Sequence, residues 1–168
     1  MFLKKIKMFQ KAKKFIQRGK QGYCYEDLWD LYNWFTLLFP KMLQDFLKNS
    51  HGYPAPMCPS DIKNQEEWYE EHRKKWEYEV NKLIYFLKEA NDETCSHQNN
   101  IDYNMNTEFV ETEDDIPYTR IEFSFPTKED EQKWEEHKKR DKEIFQYRKE
   151  SFEKALKQFN AIARNLWD

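Results

Sequence analysis

Along most of this chain, apolar residues recur in steps of three and four, the spacing of one face of an α-helix. In residues 2–18, Phe2, Ile6, Phe9 and Ile16 lie roughly opposite a basic stripe of Lys4, Lys7, Lys11, Lys14 and Arg18, and Gly19 is placed to end the helix as a left-handed cap. A second stretch runs from Asp27, an N-cap candidate, to Lys48. Its stripe is Leu28, Leu31, Tyr32, Phe35, Leu38, Phe39, Met42 and Phe46, and Pro40 inside it predicts a kink or a split. The third begins near Asn64, with Glu67 three positions on as in a capping box, and turns Trp68, Trp76, Val80, Leu83, Ile84 and Leu87 inward up to about Glu89. The fourth follows Pro126 and Thr127 and extends towards Leu166, on the order of 60 Å if unbroken. Its first part, to Asp141, is charged on nearly every face and suited to projecting or meeting a partner. The second part carries the stripe Phe145, Phe152, Leu156, Phe159, Ile162 and Leu166.

Between the third and fourth helices, residues 91–126 change character, becoming polar, Asn-rich and acidic. Within them Ile121, Phe123 and Phe125 alternate with Glu122 and Ser124, which predicts a short strand, and a partner strand near residues 108–110 makes a hairpin. The pattern as a whole predicts a single all-α domain over residues 1–168: a bundle of four main helices with a small β-hairpin in the 91–126 insertion.

Composition sharpens this picture. Aromatic residues make up 17% of the chain, enough large rings to close a core that a hydrophobic fraction of 39% would otherwise leave thin. Net charge is -3, but residues 1–22 hold eight of the 28 basic residues and no acid. That leaves 20 basic and 31 acidic residues in the remainder, a balance of -11. A basic arm on an acidic body predicts an acidic partner or an internal pairing, and the overall acidity disfavours nucleic acid. Cys24, Cys58 and Cys95 are odd in number and far apart, as expected of reduced thiols in a cytoplasm. No signal peptide is expected, and the longest uncharged run in the helical part, residues 31–40, is half of what a membrane span requires.

Chemistry-bearing motifs are sparse. The residues three before His51, His72, His97 and His137 are Lys48, Tyr69, Thr94 and Trp134, so the Glu-x-x-His pattern of di-iron bundles is missing. Cys95 and His97 supply two metal ligands, but no second pair stands at zinc-site spacing, and neither a metal nor a cofactor is expected. There is no Gly-x-Ser-x-Gly elbow and no phosphate-cradling glycine loop, which leaves Cys24 with His51 as a bare thiol–imidazole possibility and no catalytic residue to assign. The basic stripe reads either as a phosphate, membrane-surface or acidic-protein binder, or as the solvated face of a core-packed helix. Arg18, Tyr23, Asp27 and Trp29 gather near a tight turn, where rings and a guanidinium make a small-anion or nucleotide pocket; the plainer reading is a helix corner with Arg18 paired to Asp27. His51 and Tyr53, from the stiff loop that follows, join the ligand-binding candidates. The apolar end Leu166-Trp167 is expected to dock on the body or on another subunit, so a homo-oligomer stays open.

The segments Gln17-Arg18-Gly19-Lys20-Gln21-Gly22-Tyr23, Glu26-Asp27-Leu28-Trp29, His51-Gly52-Tyr53-Pro54 and Asn165-Leu166-Trp167-Asp168 together carry a likeness. In them the chain resembles a group of functionally uncharacterised small helical proteins encoded in bacteriophage genomes. The likeness covers the N-terminal two-fifths, the helix around residues 68–87 and the C-terminal end, whereas the 91–126 insertion looks specific to this version. The resemblance implies phage origin and brings no catalytic residues. By analogy it implies a non-enzymatic accessory protein of the host cytoplasm that inhibits a host defence component by binding it. The alternatives are a sponge for a small nucleotide signal and an enzyme with an unrecognised site.

Overall fold

A computed structural model describes residues 2–28, 30–50, 54, 65–111 and 119–166. Four α-helices dominate: α1 (Phe2–Gln21), α2 (Leu31–Asn49), α3 (Gln65–Ala90) and α4 (Lys128–Ile162). Strands β1 (Asn106–Glu111) and β2 (Thr119–Ser124) form a small antiparallel sheet, and 3-10 turns occupy Tyr25–Leu28 and Ala163–Asn165. No helix among the described residues is long and apolar enough to cross a membrane.

The core is built on α3. Trp76, Val80, Leu83, Ile84 and Leu87 are buried between Leu43 of α2 and Ala155 and Ile162 of α4. On α4, beyond Asp130 in the first turn, the buried positions are Ile144, Ser151, Ala155, Gln158 and Ile162, a spacing of seven, four, three and four that keeps one seam against α3. Small residues at 151 and 155 let the two helices approach closely, while Phe152 and Phe159 turn aside to meet α2. There Tyr32 lies 4.9 Å from Phe152, and Phe159 meets Phe35 and Phe39 edge-on at 6.1 and 5.6 Å.

This seam corrects the inward faces expected from periodicity. Phe145 and Leu156 of α4 and Leu28, Leu31, Leu38 and Met42 around α2 are exposed. One residue turns a helix by about 100°, so a stripe read one position off points beside the core. α2 runs through Pro40 without a break. Pro40 itself is buried, and Phe35 and Phe39 stack at 5.1 Å over the same turn, packing that outweighs an interior-proline cost of about 3 kcal/mol. The helix is capped by Asp30, which accepts from the Asn33 N–H, and not by Asp27. α1 continues past Gly19 to Gln21; the left-handed residue is Gly22, at φ 83°, whose N–H bonds the Arg18 carbonyl.

Among the described residues α1 does not pack along α2, α3 or α4. Phe15 and Ile16 are 78% and 55% exposed, so the C-terminal half of this helix contributes no side chain to the core. Lys11 is exposed and Lys14 half-exposed, whereas the side chains of Lys4 and Lys7 lie outside the described residues.

The expected hairpin is present, and longer than the alternation alone marks. Phe109 pairs with Ile121 and Thr107 with Phe123. Its base is fastened to the charged first half of α4. Tyr103 and Phe125 pack on Trp134 at 4.9 and 6.3 Å, and Asn104 donates from backbone and side chain to Asp130. Asp130 in turn closes a reciprocal cap with Thr127 at the start of α4. The Thr127 hydroxyl, followed by the Asn104 N–H, holds the Asp130 carboxyl below its ordinary pKa.

Candidate functional site

Three features outside the core are built well enough to bear on function. The first is the corner between α1 and α2. Arg18 Nε donates to Asp27 at 3.0 Å, its Nη2 donates to the other carboxylate oxygen, and the Cys24 N–H adds a third bond at 2.8 Å. Arg18 foremost, with the Cys24 amide, holds the Asp27 carboxyl well below the usual carboxylate range. The structure thus brings Arg18 and Asp27 together, and the carboxylate neutralises the guanidinium fork that an anion would need. Tyr23 is exposed beside this corner. Trp29, His51 and Tyr53 lie outside the described residues, so the pairing of His51 with the buried Cys24 does too.

A lowered carboxylate pKa stabilises the folded state above the ordinary Asp range, and that contribution is lost as the pH falls through the lowered value. The Cys24 amide resonance, bonded to Asp27, is therefore expected to titrate only below the usual carboxylate range. An Asp27→Asn variant should abolish that titration and loosen the α1–α2 angle. Cys24 amide titration at an ordinary carboxyl pH would contradict the pairing.

The second feature lies where α3 ends. Asn91 is fully buried and donates to Asn33 at 2.7 Å and to Thr36 at 2.8 Å, fixing α2 to the end of α3. The Tyr32 hydroxyl and Arg148 Nε both donate to the Ala90 carbonyl. One residue before Ala90, the buried Glu89 carboxylate accepts from the Ser96 hydroxyl at 2.6 Å and the Tyr147 hydroxyl at 2.9 Å. Burial alone would raise its pKa; the bonds from Ser96 and Tyr147 outweigh burial and hold it below the ordinary value. Tyr147 shifts upward, through its bond with Tyr85, its burial and the Glu89 charge, so it stays a protonated donor. The Cys95 thiol lies 4.0 Å from the same carboxylate and His97 Nδ1 3.9 Å from it, the imidazole resting 4.1 Å from the Tyr147 ring. Among the described residues Glu89, Cys95 and His97 are the one group whose ligand atoms converge, all within 4.8 Å. Beside this cluster Tyr32, Phe145, Arg148, Lys149 and Phe152 line an open cavity of about 200 Å³.

The third feature is the hairpin face. Phe109, Ile121 and Phe123 share one side of the two-stranded sheet and are 72%, 47% and 59% exposed, and among the described residues no helix packs on either strand. The opposite side carries Glu108, Glu122 and Arg120, the last two ion-paired.

Sequence reasoning found Cys95 and His97 but not Glu89 or Tyr147. The nearest sequence signal is a helix-end glutamate six residues before the cysteine and eight before the histidine, a spacing with no established motif behind it. Tyr147 arrives from another helix and leaves no local trace. No protein-family model, no curated protein and no solved structure matches this chain.

Proposed function

We propose that this chain is a non-enzymatic binding protein that docks a protein partner on the apolar face of its hairpin. The supporting observation is the exposure of Phe109, Ile121 and Phe123 together on a sheet of only two strands. An isolated two-stranded hairpin is marginal in water, and its apolar face gains stability only when something covers it. Among the described residues both strands also keep a free edge, to which a partner strand can add. Glu111 at the end of β1, followed in the sequence by Glu113, Asp114 and Asp115, selects a partner whose apolar patch is rimmed by Lys and Arg. Under the resemblance to phage-encoded proteins, that partner is a host defence component met in the host cytoplasm. The four-helix arrangement belongs to the same reading. α1, with Phe15 and Ile16 outward, completes a bundle only when its apolar side closes on the exposed Leu31, Leu38 and Met42 of α2. Affinity capture from host lysate, with the wild-type chain beside a Phe109→Asp/Phe123→Asp variant, tests the docking face. The partner should be retained by the first and lost by the second.

The cavity lined by Tyr32, Phe145, Arg148, Lys149 and Phe152 favours a second reading, the nucleotide sponge, because rings stack a base and Lys149 meets a phosphate. It ranks second because ligand sites usually enclose about 300–1,000 Å³, and because Arg148 is already bound to Ala90 and Asp92. A nucleotide at 100 times its dissociation constant would add about 2.7 kcal/mol of stability. On this reading that gain appears as a thermal shift that Lys149→Ala removes. If mono-, di- and cyclic nucleotides all leave the melting temperature unchanged, the sponge reading is excluded.

A further inference from the structure

We infer that Glu89, Cys95 and His97 form a binding site for one divalent transition-metal ion of the Zn²⁺ class, placed where α3 hands over to the segment that leads to the hairpin. This site is independent of the docking face, and either can fail without the other.

The donor set carries the inference. Thiolate, imidazole and carboxylate are the three ligand types Zn²⁺ takes, and three protein ligands leave a fourth position for water. The carboxylate oxygen stands 4.0 Å from Cys95 Sγ and 3.9 Å from His97 Nδ1. On a tetrahedral ion with bonds of about 2.0–2.3 Å, ligand atoms sit about 3.3–3.6 Å apart. The three ligand atoms lie within 4.8 Å of one another, so closing the cluster on an ion asks for shifts of up to about 1 Å, and His97, 43% exposed on a loop, would exchange its 3.1 Å bond between Nδ1 and the Ser96 hydroxyl for the ion.

The surroundings fit the same ion. Glu89 and Cys95 are 5% exposed, so two ligands come from the dry side and His97 closes the site from the solvent side. Among the described residues Glu89 has no Lys or Arg in ion-pair range, its one such neighbour being His97, so the buried carboxylate lacks a fixed countercharge that a metal would supply. Ser96 and Tyr147 hydroxyls donate to Glu89 and orient it, and the His97 N–H donates to Cys95 Sγ at 3.4 Å, a bond suited to a metal-bound thiolate. Stapling the loop to α3 would account for the Ser96 bonds alone. The Ser96 hydroxyl also meets His97 Nδ1 at 3.1 Å, but none of these bonds gives a reason for the Cys95 thiol to face the same carboxylate oxygen. On binding, Cys95 releases its proton to solvent and its sulfur lone pair forms the bond to the metal.

The test is titration of the reduced, metal-stripped full chain with Co²⁺, followed by Zn²⁺. One equivalent of Co²⁺ should give a thiolate-to-metal charge-transfer band with tetrahedral ligand-field bands, and Zn²⁺ should displace it. Cys95→Ser and His97→Ala should each remove the spectrum, and Cys24→Ser should leave it intact. Tyr147→Phe should weaken Zn²⁺ binding by about 10–100-fold, the usual loss of an outer-shell partner. Because His97 is exposed, His97→Ala keeps the test decisive even if Glu89→Gln fails to fold. No charge-transfer band, or one that survives Cys95→Ser or His97→Ala, overturns the site.

Discussion

Truncation of Leu87 to alanine is expected to destabilise the protein by about 3–5 kcal/mol, because a fully buried leucine in a packed seam loses its transfer energy and leaves a cavity. Leu87 is 0% exposed and lies in the cluster formed by α2, α3 and α4. Against a total stability of about 5–15 kcal/mol, such a loss brings the fold close to unfolding at body temperature. It lowers the melting temperature by about 10 °C for a chain of this size. The control makes the prediction specific. Leu38 and Phe145, which helical periodicity places in the same stripes as core residues, are 39% and 66% exposed, and alanine at either is expected to cost less than about 1 kcal/mol. Urea melts of the three variants check this directly. Equal losses at Leu87 and Leu38 would mean that α2 buries its other side and that the packing described above is wrong.

The second large effect is on binding. Phe109→Asp with Phe123→Asp should leave the urea midpoint of the helical core within about 0.5 kcal/mol of the parent, since neither ring touches a helix. Partner affinity should fall by about 30-fold per ring, the factor that corresponds to a hot-spot contribution of about 2 kcal/mol each. The two readouts separate folding from docking. A variant that binds as tightly as the parent would move the interface elsewhere, with the exposed Phe15 and Ile16 of α1 the next surface to mutate. A variant that unfolds the helices would show that the hairpin is part of the core.

Much of the local structure was legible because the signals were local. Thr127 marks the start of α4 and the alternation of Ile121 with Phe123 is enough to place a strand, whereas the expected caps Gly19 and Asp27 give way to Gly22 and Asp30, each three positions further on. What periodicity could not supply was rotation. α2 is apolar on more than one side, so Leu31 and Leu38 read as core although only Thr36, Pro40 and Leu43 are fully covered. On α4 the expected Ile162 lies in the core and Phe159 and Leu166 pack against it, but Phe145 and Leu156 fall outside, because the seam against α3 is set by small or polar residues, Ser151, Ala155 and Gln158, to which hydrophobicity gives little weight. Gln158 is buried because it bonds the Glu79 carbonyl and carboxylate across the seam, a reason visible only with both helices in place. The Glu89 cluster was hidden in the same way, since Tyr147 comes from α4, 58 residues along the chain.

Among the described residues, α2, α3 and α4 form a core from which α1 and the strands of the hairpin stand apart. Native-state hydrogen exchange of the isolated chain tests that division most directly. Amides around Val80–Leu87 of α3 and Ser151–Ile162 of α4 should exchange only through global unfolding. Those of the C-terminal half of α1 and of both hairpin strands should exchange far faster, and the strands should gain protection once a partner is bound. Hairpin or α1 amides as slow as those of α3 in the free protein would contradict it.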